Sequence, residues 1–260
     1  MGKQSAKQTL IVALVLCLGC SILVSTAAVG LKPMQEANRL LDRNRNILAA
    51  AGLSAPGQSR AEVARLFGEF EVRLVNLETG RYATDDELKT SGIDPRSYDQ
   101  RKAARDPALS VSMKGDDPAG IQRKPRYATV YVLPGDKGLR QIVLPVHGAG
   151  LWGTLYGFLV LEGDLTTVRG LSFYEHKETP GLGAKVGEPE WKALWPGKQA
   201  YDAQGQVAIK VVKGSASREG EIDGLSGATL TTRGVNNLIR FWLGERGFAP
   251  FLKNLKAGEA

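Results

Sequence analysis

The stretch Asp223-Gly-Leu-Ser-Gly-Ala-Thr-Leu-Thr-Thr-Arg-Gly-Val-Asn-Asn-Leu-Ile-Arg-Phe-Trp-Leu243 changes character halfway along. Its first part is a hydroxyl-rich loop kept small at Gly224, Gly227 and Ala228. Its second part sets Val235, Leu238, Ile239, Trp242 and Leu243 at spacings of a helix with one apolar face. The pattern predicts a helix over 232–244, with Thr231 or Thr232 as its N-cap. A helix N-terminus presents unpaired N–H groups and the positive end of a dipole, so an anion can rest there. Glycines let the backbone approach that anion closely. The loop is therefore suited to holding a phosphate beside a hydroxyl side chain; an ordinary capped turn would use the same residues.

Working back from it, residues 72–77, 127–133, 139–146, 154–160, 168–174 and 207–212 read as strands. They are rich in Val, Ile, Leu and aromatics and are broken at Pro134-Gly135, His147-Gly148 and Gly163-Asp164. Pro134-Gly-Asp-Lys-Gly138 reads as a hairpin turn. Residues 33–52 read as a helix with Leu40, Leu41, Ile47 and Leu48 on one face, and 61–70 as a second, short one. Residues 80–120 are polar and rich in Asp, Gly and Pro, which predicts an irregular surface insertion. The expected fold class is α+β: one N-terminal transmembrane helix, then a globular domain with an antiparallel sheet and flanking helices.

Residues 10–31 carry no charge and suffice to cross a hydrocarbon core, which needs roughly 20 residues. Lys3 and Lys7 precede the run, and Lys32-Pro33 follow it. A cleaved signal peptide has a shorter apolar core, although Ser25-Thr-Ala-Ala28 resembles a cleavage site. A lipoprotein reading would use Cys20, but Cys17 stands where an aliphatic residue belongs. An uncleaved anchor is the favoured reading. Counting Lys32, Arg39, Arg43 and Arg45 against the two leading lysines places the C-terminal side in the cytoplasm. Long domains, however, translocate largely regardless of such charges. Cys17 and Cys20 are the only cysteines, so residues 32–260 hold no disulfide and no cysteine metal site.

The 260 residues bear a net charge of +7, but the basic residues are scattered rather than gathered into a patch, which argues against nucleic-acid binding. His147 and His176 are the only histidines and lack a carboxylate pair at ligand spacing, so no metal is expected. There is no G-x-S-x-G elbow, no Walker loop and no G-x-G-x-x-G opening a helix after a strand, which disfavours a hydrolase or a Rossmann dehydrogenase.

Asp223-Gly-x-Ser-Gly-Ala-Thr229 resembles the flavinylation motif of the FMN-binding family. Val146-His-Gly-Ala-Gly-Leu-Trp-Gly153, Glu178-Thr-Pro-Gly-Leu-Gly183, and Phe241-Trp-Leu-Gly244 with Gly247-Phe-Ala-Pro-Phe-Leu252 carry the same resemblance, which runs from about 125 to 252. With the apolar N-terminal segment they are similar in type and order to the C subunit of bacterial Na+-translocating NADH:quinone reductases. The G subunit of the related Rnf complex shares the superfamily and is the alternative; a non-enzymatic envelope scaffold is the other.

The resemblance implies FMN esterified through its phosphate to Thr229, in a loop that includes Ser226, Gly227 and Ala228. It implies a membrane-anchored subunit relaying electrons from NADH towards ubiquinone, coupled to sodium export. The partners it implies are the other membrane subunits and a flavin transferase. It places the anchor in the bacterial inner membrane and the globular domain in the periplasm. The expected division is a cytoplasmic segment 1–9, a membrane helix 10–31, a membrane-proximal part 32–125 and an FMN-binding domain 126–260. For the isoalloxazine, flat and apolar on its faces, Trp152 between glycines is the expected ring contact. By resemblance Glu178, Thr179, Gly181 and Leu182 line the ring. Lys213 is expected at its pyrimidine edge, where a cation stabilises the charge of reduced flavin.

Overall fold

A computed structural model of the chain describes residues 6–55, 57–95, 97–136 and 138–260. Residues 1–5 of the expected N-terminal segment, with Lys3, lie outside the described residues, as does Lys137 of the expected hairpin turn. The chain divides into two units, Met1–Arg43 and Asn44–Ala260.

The described residues of the first unit lie within α1 (Ala6–Ala50), whose apolar window has a mean hydropathy of 2.6 and no buried residue. By length and composition this helix is able to cross a membrane. It runs on through Pro33, which forfeits one helical N–H donor.

Residues 44–50 of α1 belong to the second unit, where Ile47, Leu48 and Ala50 are buried. Gly52, at φ +70°, stops the helix in the left-handed region, and the Leu53 N–H donates to the Leu48 carbonyl at 2.8 Å. Next come α2 (Arg60–Phe67), β1 (Glu71–Asn76), β2 (Arg81–Tyr82), α3 (Asp85–Thr90), α4 (Gln100–Ala103), β3 (Ser110–Ser112) and β4 (Arg123–Pro125). The long strands follow: β5 (Tyr127–Gly135), β6 (Gly138–Ala149), β7 (Thr154–Glu162) and β8 (Val168–Glu175). After them stand α5 (Pro189–Lys192), β9 (Lys210–Val211), β10 (Glu221–Ile222), α6 (Thr229–Leu243) and α7 (Ala249–Ala257).

Six strands form one sheet in the order β2-β1-β5-β6-β7-β8, every neighbour antiparallel. Five of the expected strands are in it. The sixth, 207–212, is reduced to β9, which pairs in parallel with β10 outside the sheet. Its first residues instead fold back, with Val207 bridging Tyr201 and the Ala208 N–H donating to the Ala200 carbonyl.

Residues 80–120 are more ordered than their composition predicts. Two of its polar residues serve as N-caps: Thr84 closes a capping box with Glu87, and Asp99 accepts from the N–H groups of Arg101 and Lys102. The segment buries Leu88, Ile93, Ala103, Met113 and Ala119.

The main core joins the sheet to α6 and α7. Val235, Leu238, Ile239 and Trp242 of α6 are all fully buried, aliphatic side chains at that depth contributing about 1.5–3 kcal/mol each. The helix starts at Thr229, earlier than its apolar periodicity predicts, because Thr231 and Thr232 sit on the buried face as well. α7, with Phe251 and Leu252 buried, does not stand out as a separate helix in the sequence pattern.

His147, at the end of β6, stacks on Tyr156 at 5.6 Å and lies 5.0 Å from the Trp242 ring. Burial, and secondarily the Arg101 cation that sits 3.4 Å over Tyr156, push its pKa from 6.5 down to about 4. The folded chain thus holds this imidazole neutral in a range where the unfolded chain protonates it. Its contribution to stability is complete above about pH 6.5 and is lost as pH falls towards about 4. The midpoint of thermal unfolding is expected to drop between pH 7.5 and pH 5. The drop should be shallower in His147→Gln; an unchanged slope would reject the assignment.

Candidate functional site

Three segments meet at the start of α6. The first is the turn after β6. There the Gly150 N–H donates to the Gly153 carbonyl at 2.7 Å, turning the chain around Leu151 and Trp152, which are 44% and 65% exposed.

The second is the loop after β8, from Glu178 to Gly183. The N–H groups of Leu182 and Ala184 both donate to the Thr179 carbonyl at 3.1 Å. Gly181 takes φ +74°, a conformation that only glycine adopts freely. Thr179, Gly181 and Leu182 are exposed, whereas Glu178 is buried.

The third is the loop from Asp223 into α6. The Trp191 Nε1–H donates to the Asp223 carbonyl at 2.9 Å, and an Asp223 carboxylate oxygen accepts from the Ala216 N–H at 2.6 Å. Ser226 and Gly227 are exposed and Ala228 is buried. Gly227, at φ +79°, lies against the Leu182 side chain: a Cβ there would meet its Cδ2 at 3.0 Å. The N-cap of α6 is Ala228, which has no side chain to offer the helix, not Thr231 or Thr232. Thr229 therefore stands in the first turn with its side chain exposed. The early N–H groups of that turn have no intrahelical acceptor.

The hydroxyls expected to cap the helix do other work. Thr232 Oγ1 accepts from the Leu225 N–H at 2.9 Å, which shapes the loop ahead of the helix. Thr231 is fully buried and its hydroxyl donates to Glu178 Oε2. Glu178 Oε1 accepts from the Trp152 N–H at 3.0 Å. One carboxylate thus ties Trp152, its own loop and α6 together. Lys213 is exposed, and its neighbour Gly214 accepts from the Gly224 N–H at 2.8 Å, which sets the Lys213 turn beside the start of the third loop.

Thr231, Leu151 and Leu230 do not stand out in the sequence as site residues, yet signals for two of them are there. Thr231 falls on the buried stripe with Val235, Leu238 and Trp242, and a hydroxyl on an apolar stripe requires a buried acceptor. Leu230 is out of phase with that stripe and is 52% exposed.

Glycines fix how close the segments come. A Cβ on Gly148 would meet Leu238 Cβ at 2.6 Å and the Ala119 carbonyl oxygen at 2.9 Å. A Cβ on Gly234, in the second turn of α6, would overlap the Ala149 carbonyl and reach Gly150 Cα at 3.3 Å. Helix and strand end touch backbone to backbone.

The chain has known relatives. An FMN-binding domain family matches residues 150–244, which take in all three segments. The C subunit of the Na+-translocating NADH-quinone reductase of Pseudomonas aeruginosa is 51% identical over 266 residues, covering 100% of this chain and 99% of its own length. The C subunit of the Yersinia pestis enzyme is 44% identical, over 99% of this chain and 96% of that one. Among solved structures, Shewanella oneidensis NqrC superposes with a TM-score of 0.73 at 36% identity, over 83% of this chain and 97% of that chain. The corresponding Parabacteroides distasonis protein superposes with a TM-score of 0.65 at 27% identity, over 85% and 96%.

Gly234 gives a test of sign. In an unhindered helix interior, Gly→Ala stabilises by about 1 kcal/mol. Overlap with the Ala149 carbonyl should reverse this, making Gly234→Ala less stable by about 1–3 kcal/mol in urea unfolding. A stabilised variant would show that the close approach is not what selects glycine here.

Proposed function

This chain belongs to the NqrC family, the C subunits of the Na+-translocating NADH-quinone reductase, and on that premise we propose that it is a membrane-anchored electron-carrying subunit whose FMN is joined through its phosphate to the Thr229 hydroxyl. The observation that carries the reading is the surroundings of Thr229. Six large apolar side chains are exposed among the described residues of the second unit: Val72, Val111, Leu151, Trp152, Leu182 and Leu230. Four of the six lie on the three segments that meet at the start of α6. Exposed apolar surface gathered in one place marks a binding site, and a flat, apolar-faced ring is the ligand that this one suits.

The residues present fit the group. The exposed Thr229 hydroxyl offers the point of attachment, and the N–H groups of the first turn of α6 favour a phosphate next to it. Gly227 keeps the loop free of a Cβ on the side facing Leu182. Trp152 and Leu182 supply apolar contact for the ring, with backbone groups of Thr179 and Gly181 for its polar edge. Ser226 and Ala228 complete the loop, Glu178 stands behind it, and Lys213 supplies a cation. Bound FMN contributes reversible one- and two-electron chemistry.

In this reading the apolar run of α1 crosses the bacterial inner membrane and the globular unit is periplasmic. Electrons that enter the complex from NADH pass through this subunit towards ubiquinone, coupled to sodium export. The other membrane subunits are its partners, and a flavin transferase attaches the cofactor. In that attachment the Thr229 oxygen bonds to the FMN phosphorus of FAD, the diphosphate bond breaks, and AMP leaves as the hydroxyl proton is lost. A tether suits an exported cofactor, since loosely held FMN would escape. Identity to the C subunits along the whole chain favours this reading over an Rnf-type subunit, and the FMN-binding domain match favours it over a bare scaffold.

Coexpressed with a flavin transferase, the chain should fluoresce as a flavoprotein on a denaturing gel. Thr229→Ala and Thr229→Val should both be dark while Thr229→Ser keeps signal. A fluorescent Thr229→Val band would place the attachment elsewhere.

A further inference from the structure

We propose that Glu178 is the positioning residue of this site: its buried carboxylate locks the Trp152 turn to the first turn of α6 before any cofactor is attached. The proposal deepens the flavin reading and rests on it only for its purpose; the lock itself is a property of the bare chain.

Glu178 is 5% exposed. Glutamate is seldom so buried without a partner, because stripping water from a carboxylate is costly. Among the described residues no Lys, Arg or His forms an ion pair with it. It is compensated instead by two hydrogen bonds, one on each oxygen: the Trp152 N–H on Oε1 at 3.0 Å and the Thr231 hydroxyl on Oε2. Thr231 lies in the first turn of α6, whose dipole favours a negative charge.

Two glycines carry an independent trace of the same group. A Cβ on Gly150 would fall 2.5 Å from Glu178 Oε1. A Cβ on Gly183 would fall 2.7 Å from Oε2 and 2.6 Å from Thr231 Oγ1. Neither glycine has a positive φ, so the backbone does not demand glycine at either position. Space for the carboxylate does. The group is therefore a built junction of three segments, with both oxygens turned inward onto this chain's own donors. It fixes where the Trp152 indole stands relative to the Thr229 hydroxyl, and so the place offered to a ring tethered there.

The test uses the full-length chain in detergent, made without a flavin transferase, and hydrogen exchange read by mass spectrometry. Glu178→Ala and Thr231→Val should each speed exchange in peptides spanning 150–153 and 229–232 by about tenfold or more, the factor that a hydrogen bond to a charged group sustains. Peptides from β6 and β7 should keep wild-type protection, and Thr231→Ser should restore the wild-type pattern. If Glu178→Ala unfolds the whole unit, the Thr231 pair decides. Wild-type protection of 150–153 in Thr231→Val, or no difference between Thr231→Val and Thr231→Ser, overturns the proposal. In chains loaded with flavin, Thr231→Val should also lower flavin fluorescence anisotropy relative to Thr231→Ser. The bare-chain result is independent of where, or whether, flavin attaches, so the two readings fail separately.

Discussion

The backbone contact between α6 and the end of β6 is the constraint on which the site depends. Gly234 lies against the Ala149 carbonyl and Gly150, and Gly148 lies against Leu238. Close-packed interiors yield little to added volume, so this contact sets the height of the helix over the strand. With that height set, Thr229 and the Trp152 turn come from the two sides of one packed interface rather than from independent loops. The fully buried Trp242 seals the same interface further along, its indole N–H donating to the His147 carbonyl at 2.7 Å. The rigid sheet and helix thus carry the placement, and the exposed side chains are free to meet a ligand.

Polar groups at this junction follow the rule that buried donors and acceptors must find each other. Thr232 closes the loop through the Leu225 N–H, Thr231 meets Glu178, and Asp223 organises the preceding turn through the Ala216 N–H. These hydroxyls and carboxylates are consumed in making the structure. Thr229 is the exception in its turn, exposed and followed by the exposed Leu230. Among the three threonines of that turn Thr231 and Thr232 are engaged and Thr229 is not, and that contrast is the physical ground for assigning it the chemistry.

Much of the fold was legible in the sequence because runs rich in β-branched and aromatic residues, bounded by breakers, mark strands directly. The hairpin between β5 and β6 is an example, with Pro134 paired to Leu139 and Gly135 to Gly138. Legibility failed where long-range partners decide. Residues 80–120 read as irregular because they are rich in Asp, Gly and Pro, yet polar residues such as Thr84 and Asp99 suit helix caps as well as turns, and only their partners show which. The start of α6 reads late because Thr231 and Thr232 look like caps locally, whereas the Thr231 hydroxyl meets Glu178 in another segment and Thr232 turns back to Leu225 in the preceding loop. Resemblance drew the three site segments into one hypothesis; the sequence contained no sign that a single carboxylate joins them.

The account is tested most directly by mass spectrometry of the subunit isolated from its native membrane. Trypsin should release the peptide from Glu219 to Arg233, in which Ser226, Thr229, Thr231 and Thr232 are the hydroxyl side chains. The account predicts that this peptide carries the mass of FMN less one water, and that fragmentation puts it on Thr229. An unmodified peptide from flavin-replete cells, or a flavin on any of the other three hydroxyls, would contradict it.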